Sequence, residues 1–277
     1  MAESPVARFY DRLAADYHRM YADWEAGIAR QGASLDALIR GRLGDVPAEV
    51  LDCACGIGTQ SIGLAARGHR VTATDLSAVA AARAAQEADG RGLRLAVAAA
   101  DMRRLPVADG RFDVVVCADN ALPHLLAEDD VLAALGEMRR ALRPGGLLLL
   151  STRPYDELRA VRPSSTPPQV SADAHGRRTV TFQLWQWHED GERYDLELFQ
   201  LTPAGAEGGA KAAVEAGADG PEGAEGGWHV EVRRSAYWAL SRAQLTAYAA
   251  QAGFTDVTWE LPERTGFFQP VLIARVP

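Results

Sequence analysis

Apolar positions recur first at helical spacing, with Phe9, Leu13, Tyr17, Met20 and Tyr21 on one stripe and Ile28, Leu35, Leu38, Ile39 and Leu43 on the next, so residues 6 to 43 are expected to form two helices. The period then changes. Short apolar runs near 50 to 53, 70 to 74, 93 to 98, 113 to 117 and 146 to 151 alternate with helical patterns near 59 to 67, 77 to 88 and 128 to 142. Alternation of this kind builds a parallel, doubly wound sheet. Arg143-Pro144-Gly145-Gly146 closes the last of these helices, with glycine just past its end. Beyond residue 151 the period becomes two: Arg177 to Trp187 and Arg193 to Leu201 flank the turn His188-Glu189-Asp190-Gly191, and a third run follows from Trp228 to Leu240. A final helix near 241 to 252 precedes strands near 255 to 260 and 267 to 275.

The pattern predicts an α/β chain: a mostly parallel, seven-stranded, Rossmann-like sheet with an N-terminal helical cap and an inserted antiparallel β arm. The divisions fall at 1–47 for the cap, 48–152 for the ligand-binding core, 153–240 for the arm, and 241–277 for the helix and strands that complete the sheet. Residues 204 to 227 carry eight glycines, one larger apolar residue (Val214) and a net charge of −4. Such a composition cannot bury enough surface to offset its ordering entropy, so a disordered hairpin tip is expected.

Candidate chemistry gathers at the strand ends. Val50-Leu51-Asp52-Cys53-Ala54-Cys55-Gly56-Ile57-Gly58-Thr59-Gln60 reads as a strand, a tight turn and a helix start, where glycines let backbone approach a ligand closely. Steric packing alone could also call for these glycines. The second strand ends in Asp75, about twenty residues beyond the turn, where a carboxylate can accept both hydroxyls of a ribose. The third ends in Asp101-Met102, an acceptor for an adenine amine beside a side chain that can lie on the ring. A dinucleotide reading fits less well, because Ser61 stands where Gly-x-Gly-x-x-Gly needs its third glycine. After the fourth strand comes Ala118-Asp119-Asn120-Ala121-Leu122-Pro123-His124, a polar loop at the same edge. Asn120 can accept from an amine there, and His124 can hold a neighbour or take a proton, or be satisfied by backbone at a helix start.

Composition narrows the classes. The net charge of −8 gives no basic face for phosphate contacts, so no nucleic-acid partner is expected. No apolar run approaches the roughly 20 residues of a membrane span, and no apolar signal core opens the chain, so a cytoplasmic protein without a membrane partner is expected. Cys53, Cys55 and Cys117 fall in apolar strands without further ligands at metal spacing, so they read as reduced core thiols and no metal is expected.

The spaced set, Asp52-x-x-x-Gly56-x-Gly58 with Asp75 and Asp101, resembles the class I S-adenosylmethionine-dependent methyltransferases. Within them the chain is similar to the glycine and sarcosine N-methyltransferase group, through its N-terminal aromatics, Asp52-Cys53-Ala54-Cys55-Gly56, Asn120 with His124-Leu125, and Arg153-Pro154-Tyr155-Asp156. The resemblance implies S-adenosylmethionine as cofactor, S-adenosylhomocysteine as its product, and a small-molecule acceptor. It implies that Tyr10, Tyr17, Arg30, Ala54, Asp75, Asp101, Met102 and Ala118 contact the cofactor with Gly56 and Gly58, and that Tyr21, Asn120 and Arg153 contact the acceptor. Asn120, Tyr21 and His124 are the catalytic candidates. Pro154 and Asp119 depart from the group's pattern, which leaves the acceptor open. A surface ion pair of Arg153 with Asp156 or Glu157, O- or C-methylation of a secondary metabolite, and a non-catalytic cofactor-binding module are the competing readings. The oligomeric state stays open, a homo-oligomer included.

Overall fold

The computed structural model describes residues 4–173, 175–204 and 227–277. Helix α1 (Pro5–Leu13) is followed by a 3-10 turn at Tyr17–Met20 and by α2 (Trp24–Leu43), which Asp23 caps by accepting a hydrogen bond from the Ala26 N–H. The alternating core is β1 (Glu49–Asp52), α3 (Thr59–Ala65), β2 (Arg70–Asp75), α4 (Ala78–Asp89), β3 (Ala96–Ala99), β4 (Phe112–Cys117), α5 (Glu128–Ala141) and β5 (Leu142–Ser151). Then come α6 (Tyr155–Val161), β6 (Gln169–Ala172), β7 (Arg178–Trp187), β8 (Arg193–Pro203), β9 (Trp228–Trp238), α7 (Arg242–Gln251), β10 (Thr255–Glu260), α8 (Pro262–Thr265) and β11 (Val271–Arg275).

One sheet has the order β10-β11-β5-β4-β1-β2-β3, in which β11 runs antiparallel to both its neighbours. The strand order reverses between β1 and β4, and in a doubly wound sheet the crevice beyond the carboxyl ends of such strands is where ligands bind. Alternate strand residues feed opposite faces. Leu51, Val115, Leu148 and Leu272 pack on α5 and α7, while Val50, Val114, Leu147 and Ile273 pack on Leu35, Leu38 and Ile39 of α2. Helix α2 lies hard against α3. A Cβ added at Gly63 would stand 2.6 Å from the Ile28 carbonyl oxygen, so only glycine allows this approach.

The second sheet has the order β6-β7-β8-β9, all antiparallel. Its inner face, with Trp185, Tyr194, Leu196, Leu198 and Tyr237, closes over Phe9 and Leu13 of α1 and over Tyr155. Cap and arm therefore meet above the carboxyl edge of the main sheet. Three elements, α6, β6 and α8, were not expected: seven, four and four residues are too short to show a hydrophobic period. The reading of 204 to 227 as a disordered tip falls largely on 205–226, outside the described residues; β8 and β9 pair as far as Pro203 and Trp228. Among the described residues no helix is long and apolar enough to cross a membrane.

Candidate active site

The β1–α3 turn is pinned from both sides, because the Cys53 N–H donates to the Val116 carbonyl (3.0 Å) and the Cys55 N–H to the Thr74 carbonyl (3.0 Å). Gly56 adopts φ 52°, and a Cβ there would stand 3.2 Å from the Tyr17 ring, so the glycine keeps the cavity mouth open. Its N–H donates to Asp75 Oδ2 (2.8 Å), while the Ser77 N–H donates to Oδ1 (2.8 Å). These two bonds aim the carboxylate and leave each oxygen free to accept again. Burial raises the Asp75 carboxyl above the usual range. Asp52, fully buried beneath the turn, accepts from Ser61 Oγ (2.6 Å) and is pushed up to about 7 by desolvation.

Around this turn lies a cavity of about 300 Å³. Tyr10, Tyr17, Tyr21, Ala54, Gly56, Asp75, Asp101, Met102, Ala118 and His124 all line it, so ten of the residues singled out in the sequence are brought together. Two are not. Gly58 sits at φ 94° as the N-cap of α3, and a Cβ there would meet Ile62 and Ala84, so its role is the steric one. Arg30 is exposed on the outer side of α2. Its neighbour Gln31 faces inward instead, accepting from Gln60 Nε2 at 2.6 Å, because the buried stripe of α2 runs through Trp24, Ile28, Gln31 and Leu35. The Asp101 carboxylate is engaged by Arg103, which also reaches Asp130.

A second cavity, of about 160 Å³, adjoins the first and shares Tyr10, Tyr17, Tyr21 and Asp119 with it. Asn120 and Arg153 line only this inner chamber. Its floor is set by two consecutive left-handed residues, Asp119 at φ 55° and Asn120 at φ 66°. Side chains with a branched β carbon do not tolerate this conformation, whereas Asp and Asn do. The turn is braced by the Asp119 N–H donating to Ser151 Oγ (2.9 Å), by Ser151 Oγ donating to Gln269 Oε1 (2.8 Å), and by the Arg153 N–H donating to Asn120 Oδ1 (3.1 Å). With that oxygen occupied, Asn120 Nδ2 is left buried and without a hydrogen-bond partner beside the Tyr155 phenol, in a residue only 4% exposed.

Arg153 donates from Nη1 to the Tyr194 hydroxyl (2.7 Å) and from Nη2 to Gln183 Oε1 (3.2 Å), and its guanidinium lies over the Trp185 and Tyr237 rings at 4.7 and 5.3 Å. Three of its five N–H donors remain. The surface ion pair considered from sequence does not form: Asp156 and Glu157 are both taken by Arg242. Gln183 and Tyr194, which hold the guanidinium in place, carried no signal in the sequence.

His124 is held between the Tyr10 hydroxyl on Nε2 (2.8 Å) and Ser235 Oγ on Nδ1 (3.2 Å), with its ring 4.2 Å from that of Tyr237. Desolvation, aided by the charge of Arg153, lowers it to about 3, so it is neutral at neutral pH and a weak base. Its geometry suits it to fix Tyr10 and thereby the cap.

Residues 50–146 match the family profile described as a methyltransferase domain. The chain is 37% identical over 188 residues to a glycine/sarcosine N-methyltransferase of Parasynechococcus marenigrum (strain WH8102), covering 65% of this chain and 66% of that protein. It is 34% identical over 160 residues to the putative methyltransferase YqeM of Bacillus subtilis (strain 168), covering 58% and 59%. The matched stretches thus span between 59% and 66% of the length of these two relatives. In fold, the chain is similar to CalS10, an amino pentose methyltransferase from Micromonospora echinaspora, with a TM-score of 0.68 over 95% of each chain at 21% identity. Residues 50–146 thus form a methyltransferase domain, and the sheet order, the glycine turn and the acids at the strand ends are similar to those of the class I enzymes, whose cofactor is S-adenosylmethionine.

Proposed function

We propose that the protein transfers a methyl group from S-adenosylmethionine to the nitrogen of a small, amino-acid-like acceptor of the glycine or sarcosine type. The observation that carries this reading is the inner chamber, where Arg153, without a carboxylate partner among the described residues, and Asn120 line about 160 Å³ of space joined to the larger cavity. This chamber is smaller than the cavity it joins, which suits a compact acceptor.

The larger cavity fits the cofactor. Asp75 has lone pairs free for ribose hydroxyls, Gly56 leaves the space a Cβ would fill, and Asp101 and Met102 stand at the adenine end once Arg103 shares the Asp101 carboxylate. When bound, S-adenosylmethionine supplies a methyl group on a positively charged sulfur, already an excellent leaving group. What the protein must add is alignment and exclusion of water. Arg153 would fix the acceptor carboxylate through a two-pronged contact and Asn120 Nδ2 would donate to it. Tyr21 gives its own proton to Asp119 Oδ2 (3.2 Å), and burial with the nearby Asp119 charge raises its phenol, so its oxygen is an acceptor that can aim an amine N–H. Tyr10, Tyr17, Tyr21 and Tyr237 surround the junction with aromatic faces, which favour cationic groups.

O-methylation is the second reading, favoured by a relative of that activity: a malonyl-[acyl-carrier protein] O-methyltransferase of Laribacter hongkongensis is 36% identical over 169 residues. Incubating the protein with S-adenosylmethionine and, in turn, glycine, sarcosine, dimethylglycine and larger amines and phenols, with mass spectrometry of both products, tests the proposal. S-adenosylhomocysteine and an N-methylated amino acid are expected. An O-methylated product alone, or cofactor binding without turnover, would replace this reading with one of its competitors.

A further inference from the structure

The proposed reaction needs a neutral amine, yet an amino acid presents an ammonium group at neutral pH, and neither Arg153 nor Asn120 can remove its proton. His124 is unsuited, since its ring nitrogens already face Tyr10 and Ser235. Asp119 is differently placed. Its carboxylate lines both cavities at the point where they join, and among the described residues it makes no ion pair within 4.0 Å. Its Oδ2 accepts from Tyr21 (3.2 Å) and Tyr17 (3.4 Å), and its Oδ1 accepts one long bond from Gln269 Nε2 (3.4 Å). These long bonds hold the carboxylate in position and leave Oδ1 able to accept from a further donor. Two consecutive positive-φ residues are needed to put it there, the kind of strain that collects at functional sites.

We propose that Asp119 receives the acceptor amine in its ammonium form and takes its proton, acting as general base and selecting a basic amine over a hydroxyl. This rests on the N-methylation reading. The proton passes from nitrogen to an Asp119 oxygen; the freed lone pair then forms the N–C bond as the C–S bond breaks, with its electrons remaining on sulfur. The product nitrogen carries the charge that the sulfur loses, and the proton on Asp119 passes to water once the products have left. A methylated ammonium with an N–H left is again a cation for Asp119, so a second transfer needs no new machinery. The charged and titratable groups that face Asp119 are Tyr17 and Tyr21 from the cap, Tyr10 and Tyr237 across the junction, and Arg153 from the loop after β5. Burial raises the carboxyl to about 6, with Arg153 pulling the other way, so it stays ionised at neutral pH but close enough to titrate in turnover.

Asp119→Asn is the test, because Asn tolerates the left-handed backbone; Asp119→Gly, which tolerates it too, guards against a folding defect. Melting temperature should stay near that of the wild type, and calorimetry should still detect binding of S-adenosylmethionine. With sarcosine as acceptor, kcat/KM at pH 7 should fall at least about a hundredfold, the usual worth of a positioned base. The wild-type profile should level off above about pH 6, whereas the variant's should climb about tenfold per pH unit toward the pKa of the amine. Glycolate, with a hydroxyl in place of the amine, should be inert. If the wild type methylates sarcosine and Asp119→Asn does so at the same rate with the same profile, the role of Asp119 is overturned and the N-methylation reading stands. If the wild type methylates glycolate but neither glycine nor sarcosine, both fall.

Discussion

Replacing Arg153 with lysine keeps a positive charge at the inner chamber and removes the planar fork, so it separates charge from geometry. The native guanidinium gives one N–H to Tyr194 and one to Gln183, lies over Trp185 and Tyr237, and turns its remaining donors toward the space shared with Asn120. A lysine ammonium can supply at most one of the two prongs to a carboxylate. Loss of one charged hydrogen bond is worth about 1.5 to 3 kcal/mol, which is about ten- to a hundredfold in kcat/KM for glycine and sarcosine. Loss of the fixed contacts to Tyr194 and Gln183 should lower the melting temperature by a few degrees. Cofactor affinity, measured by calorimetry, should hold, because Arg153 does not line the larger cavity. Methylamine and dimethylamine, the decarboxylated acceptors, are the control: both should be poor substrates of the wild type and lose little in the variant. Unchanged kinetics with the acids, or an equal loss with acids and amines, would refute the carboxylate role and leave Arg153 as a brace for Tyr194.

Three further outcomes follow from the same geometry. Asp75→Ala removes the acceptor that Gly56 and Ser77 aim at the ribose position, worth about 1.5 to 3 kcal/mol, so S-adenosylmethionine should bind at least tenfold more weakly in calorimetry; unchanged affinity would show the pocket is drawn wrongly. Gly63→Ala would favour a free helix, yet its Cβ would stand 2.6 Å from the Ile28 carbonyl oxygen, so differential scanning fluorimetry should show a loss of about 1 to 3 kcal/mol, and a gain in stability would mean that α2 yields easily. Asp52 gives up its proton at about 7 in the folded protein but at about 4 when unfolded, so the folded state binds more protons between those limits and stability should decline as pH rises from 4 to 7; Asp52→Asn should flatten that decline in urea titrations, and an unchanged slope would locate the pH dependence elsewhere.

The fold was legible because its signals are local. Buried strands such as Val114–Cys117 and Leu147–Leu150 are continuous apolar runs, as strands covered on both faces must be, and the acids that end β2 and follow β3 by two residues are read directly off the chain. Where local signal was thin, boundaries moved. Strand β5 begins at Leu142 rather than near 146, because Leu142 already pairs with Phe112 of β4 and the Gly145 N–H bonds to the Val276 carbonyl at 2.9 Å. The N-terminal aromatics were visible as a surplus over one helical stripe, but spacing alone did not show that α1 stops at Leu13 and hands Tyr17 to a separate turn. Arg30 against Gln31 is the same limit at finer grain: one residue is about 100° around a helix, and only the packing of α2 on α3 decides which faces inward.

The cofactor cavity and the acceptor chamber differ in this respect for a physical reason. The cofactor cavity draws mainly on consecutive strand ends of one sheet, so the order of the chain already places Gly56, Asp75 and Asp101 side by side. The acceptor chamber joins residues that only tertiary structure brings near: Tyr21 from the cap, Asp119 and Asn120 after β4, Arg153 after β5, Gln183 and Tyr237 from the arm, and Gln269 before β11. No periodicity spans such separations. What the sequence did carry was the pair Asp119-Asn120 after a buried strand, two short polar side chains suited to a left-handed turn. That turn places Asn120 beside the chamber and Asp119 where the two cavities meet. The placement of the whole acceptor site thus depends on Ser151 and Gln269 holding two strained residues from behind. Gln269 reaches them from the segment leading into β11, so the antiparallel strand that closes the sheet also supports the base of the acceptor site.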